Sequence, residues 1–213
     1  MLRIAVLIFS ISFAHEQFFE GKVTYTLKSF DQNGKPLYSP IQLFETYYSK
    51  TKKITSVLSG DFKLMVGDYY LYVDTDRKTR FEVWESQKKI VELGIEAKRN
   101  IYYEVSKTDL TETILGYKCA NYSIKRKYDS ETDTTYFDVF ATDEIRIPST
   151  QIVEVIGNSS TDNLDGSISG LPLKITIRNS KGTIEQKATD VRRGKLIASL
   201  DVYLSDLKVS ENH

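Results

Sequence analysis

The sequence predicts a mainly β protein built as a curved antiparallel sheet, a half-barrel or open barrel with at most one or two short helices. Apolar and polar residues alternate with a period of two along most of the chain, as half-buried strands do. Clusters of turn residues separate the alternating segments at short intervals. The 14 tyrosines and 10 phenylalanines also favour strands, because aromatic side chains suit a pleated surface.

The N-terminal half supplies the first strands in order. Residues 21–30 alternate strictly, with Val23, Tyr25 and Leu27 on one side and polar residues on the other. A turn cluster at 31–36 ends this strand. Further strands are predicted at the following positions: 41–50, 52–59, and two strands within 69–86 joined by an Asp-rich tip.

The C-terminal half continues the same pattern. Residues 119–147 predict a hairpin with its loop at 129–134 and with Phe137 and Val139 on one face. The clearest strand is 171–180, where Leu173, Ile175 and Ile177 share one side. Three more strands are predicted at these positions: 151–157, 181–193 and 195–204.

Segment 86–101 has no single interpretation. Ile90, Leu93, Ala97 and Ile101 have helical spacing, but Gly94 and the β-branched residues weaken a helix, so both helix and strand remain open. Because an antiparallel sheet of eight or more strands must curl or close to protect its edges, we expect the sheet to curve around a trough.

The first residues predict export. Arg3 precedes an apolar run that ends at Ala14, and Ser12 and Ala14 are small residues of the kind a signal peptidase recognises. We therefore expect residues 1–14 to be a cleaved signal peptide and 15–213 to form a single β domain, periplasmic or secreted. A bacterial lipoprotein has a cysteine directly after its cleavage site, and this sequence has none at that position. The alternative is a buried first strand.

Charge and length exclude other classes of protein. The chain has 29 basic and 29 acidic residues, so it lacks the cationic surface that a nucleic-acid-binding protein needs. The N-terminal apolar run is much shorter than the ~20 residues of a membrane-spanning helix, so we do not expect an integral membrane protein.

Cys119 is the only cysteine, and the only histidines are His15 and His213. A metal site needs three or four suitable ligands, and a Cys-His nucleophilic pair needs a histidine near the thiol. We expect neither arrangement here, and no cofactor. Cys119 is instead predicted to pack as a small apolar residue on a strand, in a protein that is not an enzyme.

Three motifs carry a resemblance to known proteins: Phe19–Tyr25 (F-x-G-x-V-x-Y), Gly116–Cys119 (GYKC) and Gly170–Leu173 (GLPL). With these motifs the chain resembles exported β-proteins of unknown function that are common in Bacteroidetes and are similar to the GLPGLI proteins. The resemblance implies an architecture similar to that of the lipoprotein carriers LolA and LolB, whose curved sheet holds acyl chains.

Together these observations predict an envelope protein that binds an apolar ligand, a lipid or a lipoprotein acyl chain, on its concave face. Burying about 15 methylenes at ~0.8 kcal/mol each needs no positioned polar group, so alternation is the only expected trace of such a site. The same alternation is that of ordinary β core, and the alternative is a structural or protein-interaction module whose core is filled by its own side chains. The candidate ligand-binding positions are Val23, Tyr25, Leu27, Phe137, Val139, Leu173, Ile175 and Ile177.

Overall fold

A computed structural model of the chain describes residues 18–74, 79–87, 89–93, 101–128, 134–148, 167–194 and 209–210. Nearly all of the regular structure in these residues is β-strand. One short helix, α1 (Asp61–Val66), and one 3-10 turn (Glu85–Gln87) accompany the strands. The strands are β1 (Gly21–Phe30), β2 (Pro36–Leu37), β3 (Leu43–Tyr48), β4 (Lys52–Ser59), β5 (Tyr69–Asp74), β6 (Thr79–Trp84), β7 (Lys89–Leu93), β8 (Ile101–Ile114), β9 (Tyr117–Tyr128), β10 (Thr134–Thr142), β11 (Leu171–Asn179), β12 (Gly182–Arg193) and β13 (Val209–Ser210).

All thirteen strands belong to one open, curved sheet. Its order is β13-β7-β6-β5-β4-β3-β1-β12-β11-β10-β9-β8, with β2 paired to β1 beside this path. Every pairing is antiparallel except that of β13 with β7. The prediction of a mainly antiparallel, curved β-sheet with little helix is confirmed.

The predicted alternation matches the burial of the strands. Along β1, Val23 and Tyr25 are buried whereas Lys22, Thr24 and Thr26 are half-buried. Directly opposed residues of neighbouring strands project to the same face. The register therefore identifies the residues of other strands that share the face of Val23 and Tyr25. Tyr25 lies opposite Phe44 of β3 on one side and Ala188 of β12 on the other. We call the face that bears Val23 and Tyr25 the inner face.

The structure settles part of the ambiguous segment 86–101. Residues 89–93 form β7, which pairs with β6 from Arg80↔Leu93 to Trp84↔Lys89, so a strand rather than a helix occupies this part. Residues 94–100 lie outside the described residues. So do the predicted strands at 151–157 and 195–204.

Two of the longer elements, β8 and α1, were not predicted, and neither were the two-residue strands β2 and β13 and the 3-10 turn. The longest strand, β8, has 14 residues and forms one end of the described strand order, paired only to β9 within it. Its residues are mostly half-buried or exposed, which gives a weak apolar period. Helix α1 has only 6 residues, less than two turns, so no helical period can develop in its sequence.

Gly170 explains part of the GLPL motif. It precedes β11 with a positive φ of 82°, a conformation that glycine adopts without a steric penalty. A Cβ at this position would lie 1.9 Å from the carbonyl oxygen of Thr142, so any side chain would collide with the end of β10. The glycine therefore lets β11 start directly beside β10.

Candidate functional site

The structure brings all eight candidate ligand-binding residues together on the inner face. They come from β1, β10 and β11, and the register places Phe137 opposite Ile177 and Val139 opposite Ile175. Strand β12 joins β11 to β1, since Gln186 lies opposite both Ile175 and Leu27. The eight residues belong to, or pack against, one apolar cluster.

Protein side chains already cover most of this face. Seven of the eight candidates are between 0% and 7% exposed, and Leu27 alone is only partly buried. Phe19, Ile145, Ile147 and Ile168, which lie outside the strands, pack into the same cluster. A water-sized molecule therefore reaches almost none of the surface predicted to bind a ligand. We call this cluster the main core.

Tyr25 supplies the main polar contact inside the main core. Its hydroxyl donates to the carbonyl oxygen of Pro172 at 2.8 Å and lies 3.4 Å from the hydroxyl of Tyr48. Its ring stacks on Phe44 with 5.2 Å between centroids. Burial, and then the neighbouring Tyr48, raises the pKa of Tyr25 well above its usual value, so this group is neutral and structural.

Gln186 is an exception in the main core. It is 4% exposed, and its side-chain oxygen Oε1 has no hydrogen-bond partner. The sequence carries a signal for this residue, because Gln186 occupies the apolar phase of β12, between Ile184 and Ala188. A polar residue in that phase must enter the core.

Several apolar residues that pack against the main core are less covered than its buried members. Leu27, Tyr103, Val105 and Ile184 pack against the cluster but are only partly buried. Ile184 lies opposite Ile177 in the strand row next to that of Gln186. We call these four residues the half-buried rim.

Cys119 packs in the main core, as predicted. It is 0% exposed, and its Sγ lies 3.6 Å from the carbonyl oxygen of Tyr117. Burial raises the pKa of the thiol to about 11, so the reactive thiolate is scarce at neutral pH. Neither of these properties suits a nucleophile.

A polar cluster lies on the opposite face of β1 and β3. Glu45 accepts hydrogen bonds from Lys22 at 2.6 Å, Tyr47 at 2.8 Å and Thr24 at 3.0 Å. Burial alone would raise the pKa of Glu45, but these three donors and the charge of Lys22 lower it overall. Burial and the adjacent carboxylate raise the pKa of Tyr47 to about 12. Lys22, Thr24 and Tyr47 each donate to the Glu45 carboxylate and stabilise its charged form. The contacts of Lys22 and Thr24 thereby connect β1 to β3.

The most exposed apolar side chains of the described residues lie on α1. Leu64 is 85% exposed and Met65 is 82% exposed, whereas Phe62 and Val66 of the same helix pack onto a second, smaller core of Val57, Tyr69 and Leu71. Segment 37–38 adds Leu37 at 49% and Tyr38 at 62% exposure. We define the α1 patch as Leu37, Tyr38, Leu64 and Met65.

Charged side chains beside the α1 patch have partners within it or next to it. Lys63 forms an ion pair with Asp68. A hydrogen bond from the Tyr38 hydroxyl to Asp61 raises the pKa of that tyrosine and ties segment 37–38 to the start of α1. The α1 patch is therefore apolar and is bordered by one ion pair and by one hydrogen-bonded carboxylate.

Two further properties concern the described parts of the chain only. No three His, Cys, Asp or Glu side chains in them are grouped so that they could hold a metal ion. None of their helices has the length and apolar character needed to cross a membrane.

Comparisons with known proteins support the fold and nothing finer. No family model matches the chain, and neither does any curated protein. Among solved structures, PNGF-II, crystallised in a C2 space group, has a similar fold, with a TM-score of 0.50 and 16% identity over 90% of this chain and 31% of that chain. The chain thus spans about a third of the length of PNGF-II. At this identity the likeness concerns the fold alone, because one fold hosts many functions.

Proposed function

We propose that this protein is a non-enzymatic structural module of the cell envelope, with a self-filled core, that acts by associating with a second copy of itself. The observation that supports this proposal is the burial of the inner face: seven of the eight positions predicted to hold a ligand are already covered. With the concave face filled, the outer surface is the part of the protein that offers the most exposed apolar side chains to a partner.

The α1 patch is the surface we assign to this contact. Exposed apolar side chains gain free energy when they are buried, and Leu64 and Met65 have more than four fifths of their surface to bury. A second copy suits the patch because Lys63 and Asp68 are already paired with each other and the Asp61 carboxylate accepts a hydrogen bond from Tyr38. Two such patches can meet around a two-fold axis without breaking the Lys63–Asp68 ion pair.

Sedimentation velocity over a range of concentrations tests this proposal. We expect reversible dimerisation of the mature chain, and we expect the double variant Leu64→Ser/Met65→Ser to shift the equilibrium towards monomer by at least tenfold. Leu110→Ser is the matched control, because Leu110 is 64% exposed but lies on β8. A wild-type protein that stays monomeric at high concentration, or a control that weakens the dimer equally, would overturn the assignment.

A second candidate function is the binding of an apolar ligand, a lipid or a lipoprotein acyl chain. Leu27 favours it, because this partly buried apolar residue lies opposite the unpartnered Gln186. Such a ligand would contact Leu27 first, and only then the buried candidates Ile175 and Ile177.

Displacement of a fluorescent fatty acid tests the second candidate. Saturable binding to the wild type, competed by an unlabelled lipid and weakened by Leu27→Asp at the rim, supports a ligand site. Lys28→Asp, on the adjacent position of β1, is the charge control. Absence of saturable binding leaves the self-filled module as the function.

A further inference from the structure

The turn between β1 and β2 presents an asparagine followed by a glycine, Asn33 and Gly34, on the surface of the protein. Residues 32–38 are all exposed. Gly34 has a positive φ of 78°, and a Cβ built on it would meet no atom within 4 Å, so the space around it is open. Within the described residues Asn33 donates a hydrogen bond through its backbone N–H, and its carboxamide makes none.

An asparagine in this setting can lose its side-chain nitrogen to solvent as ammonia. The backbone nitrogen of Gly34 loses its proton to a base in the solvent and attacks Cγ of Asn33. The new C–N bond closes a five-membered imide, the carboxamide C–N bond breaks, and a proton from solvent completes the ammonia. Water then opens the imide: opening at Cγ gives aspartate, and opening at the backbone carbonyl gives isoaspartate. Gly34 favours the attack because it has no side chain to hinder it.

The carboxylate of Asp31 holds the turn in a form that opposes this attack. Its Oδ1 accepts hydrogen bonds from the backbone N–H groups of Asn33 at 2.9 Å and Lys35 at 2.8 Å. The backbone oxygen of Asp31 accepts a third, from the N–H of Gly34 at 3.1 Å. Ring closure requires the Gly34 nitrogen to leave that oxygen, so the rate depends on how often the turn opens.

We propose that Asn33 is a site of spontaneous deamidation, with water as the co-reactant, and that Asp31 is the positioning residue that sets its rate. Both products place a new carboxylate beside Asp31. Isoaspartate also lengthens the backbone by a methylene group, so the two-residue strand β2 must shift or lose its pairing with β1. Since Leu37 of β2 belongs to the α1 patch, the reaction alters that surface with time. The chemistry itself is independent of both candidate functions.

Peptide mass spectrometry of the purified protein, sampled during incubation at pH 8, tests the site. Asn179 is the internal reference: it is also exposed in a turn, but Ser180 follows it and its Oδ1 accepts a hydrogen bond from the N–H of Lys181 at 2.9 Å. We expect Asn33 to convert at least tenfold faster than Asn179, to a mixture of aspartate and isoaspartate. The rate should fall at pH 6, because the Gly34 nitrogen must lose its proton, and Asn33→Gln should abolish the conversion.

Two substitutions of Asp31 test its positioning role. Asp31→Ala removes both Oδ1 contacts and should raise the rate at Asn33 three- to tenfold while the rate at Asn179 stays the same. Asp31→Asn keeps an acceptor oxygen and should retain most of the protection. An unchanged rate at Asn33 in Asp31→Ala, or an equal rise at both asparagines, would overturn the role of Asp31 while the site stands. If Asn33 of the wild type converts no faster than Asn179, the site itself is overturned.

Discussion

Ile175→Asp measures whether the inner face is filled or open. Ile175 is 1% exposed and lies opposite Val139, which is 0% exposed, and Gln186. Removing the buried side chain costs about 1.5–3 kcal/mol. Burial keeps the new carboxyl protonated at pH 7, whereas the unfolded chain ionises it with a pKa of about 3.9, and at ~1.36 kcal/mol per pH unit this difference adds roughly 4 kcal/mol.

The sum, roughly 6–7 kcal/mol, is comparable with the whole free energy of unfolding of a typical domain, about 5–15 kcal/mol. We therefore expect the variant to be largely unfolded at pH 7 or to melt tens of degrees below the wild type. Thermal melts followed by circular dichroism between pH 5 and pH 8 measure this loss.

The pH dependence identifies the charge as the cause. Burial raises the folded-state pKa of the new carboxyl above its unfolded value of about 3.9, so the destabilisation is complete above the raised pKa and decreases as the pH falls through it. The protonated carboxyl can also donate to Gln186 Oε1. Ile175→Asn, which has no charge to titrate, should show no such recovery.

Thr176→Asp is the control for the opposite face. Thr176 lies opposite Asp138 and Glu185, so the carboxylate introduced by Thr176→Asp faces two like charges. This repulsion should lower the free energy of unfolding by only about 0.2–1 kcal/mol per pair. The reasoning is refuted if Ile175→Asp melts within a few degrees of the wild type at pH 7. That result would mean that water reaches Ile175 and that the inner face is an open trough.

Three more predictions concern the termini, the thiol and the polar cluster. Protein recovered from its native envelope should begin within a few residues of His15 on N-terminal sequencing; a Met1 terminus would contradict export. Cys119→Ser should cost about 1–3 kcal/mol in denaturant unfolding, if the hydroxyl stays unpaired, and leave association intact; the native thiol should resist iodoacetamide at pH 8, and rapid labelling would be inconsistent with its burial. Because the pKa of Glu45 is lowered in the folded state, its ion pair with Lys22 stabilises the protein fully above the ordinary carboxyl pKa of about 4.3 and is lost as the pH falls below it. Glu45→Gln should therefore destabilise at pH 7 and flatten the acid limb of the stability curve; an unchanged acid limb would argue against this role.

The sequence by itself determined the strands and their faces. Alternation is a local property, because neighbouring side chains of a strand point to opposite sides whatever the rest of the chain does. For this reason Val23, Tyr25, Val139, Ile175 and Ile177 could be placed on the covered sides of their strands, and all of them lie on the inner face. The same local information identified the hairpin of β9 and β10 from its turn residues.

Elements without a local signal were decided by tertiary contacts. Residues 89–93 are a strand because they pair with β6, although their sequence suits a helix equally well. β8 has few buried positions, and α1 is too short to show a period, so neither stands out in the sequence. Their structure depends on neighbours that are distant along the chain.

Only the tertiary structure decided what covers the inner face. A strand that faces a ligand and a strand that faces core have the same pattern, because both bury one side. The difference lies in the curvature of the sheet and in Phe19, Ile145, Ile147 and Ile168, which pack into the main core from outside its strands. The isolated amide of Gln186 became visible for the same reason: burial and hydrogen-bond partners are properties of the assembled fold and not of any segment.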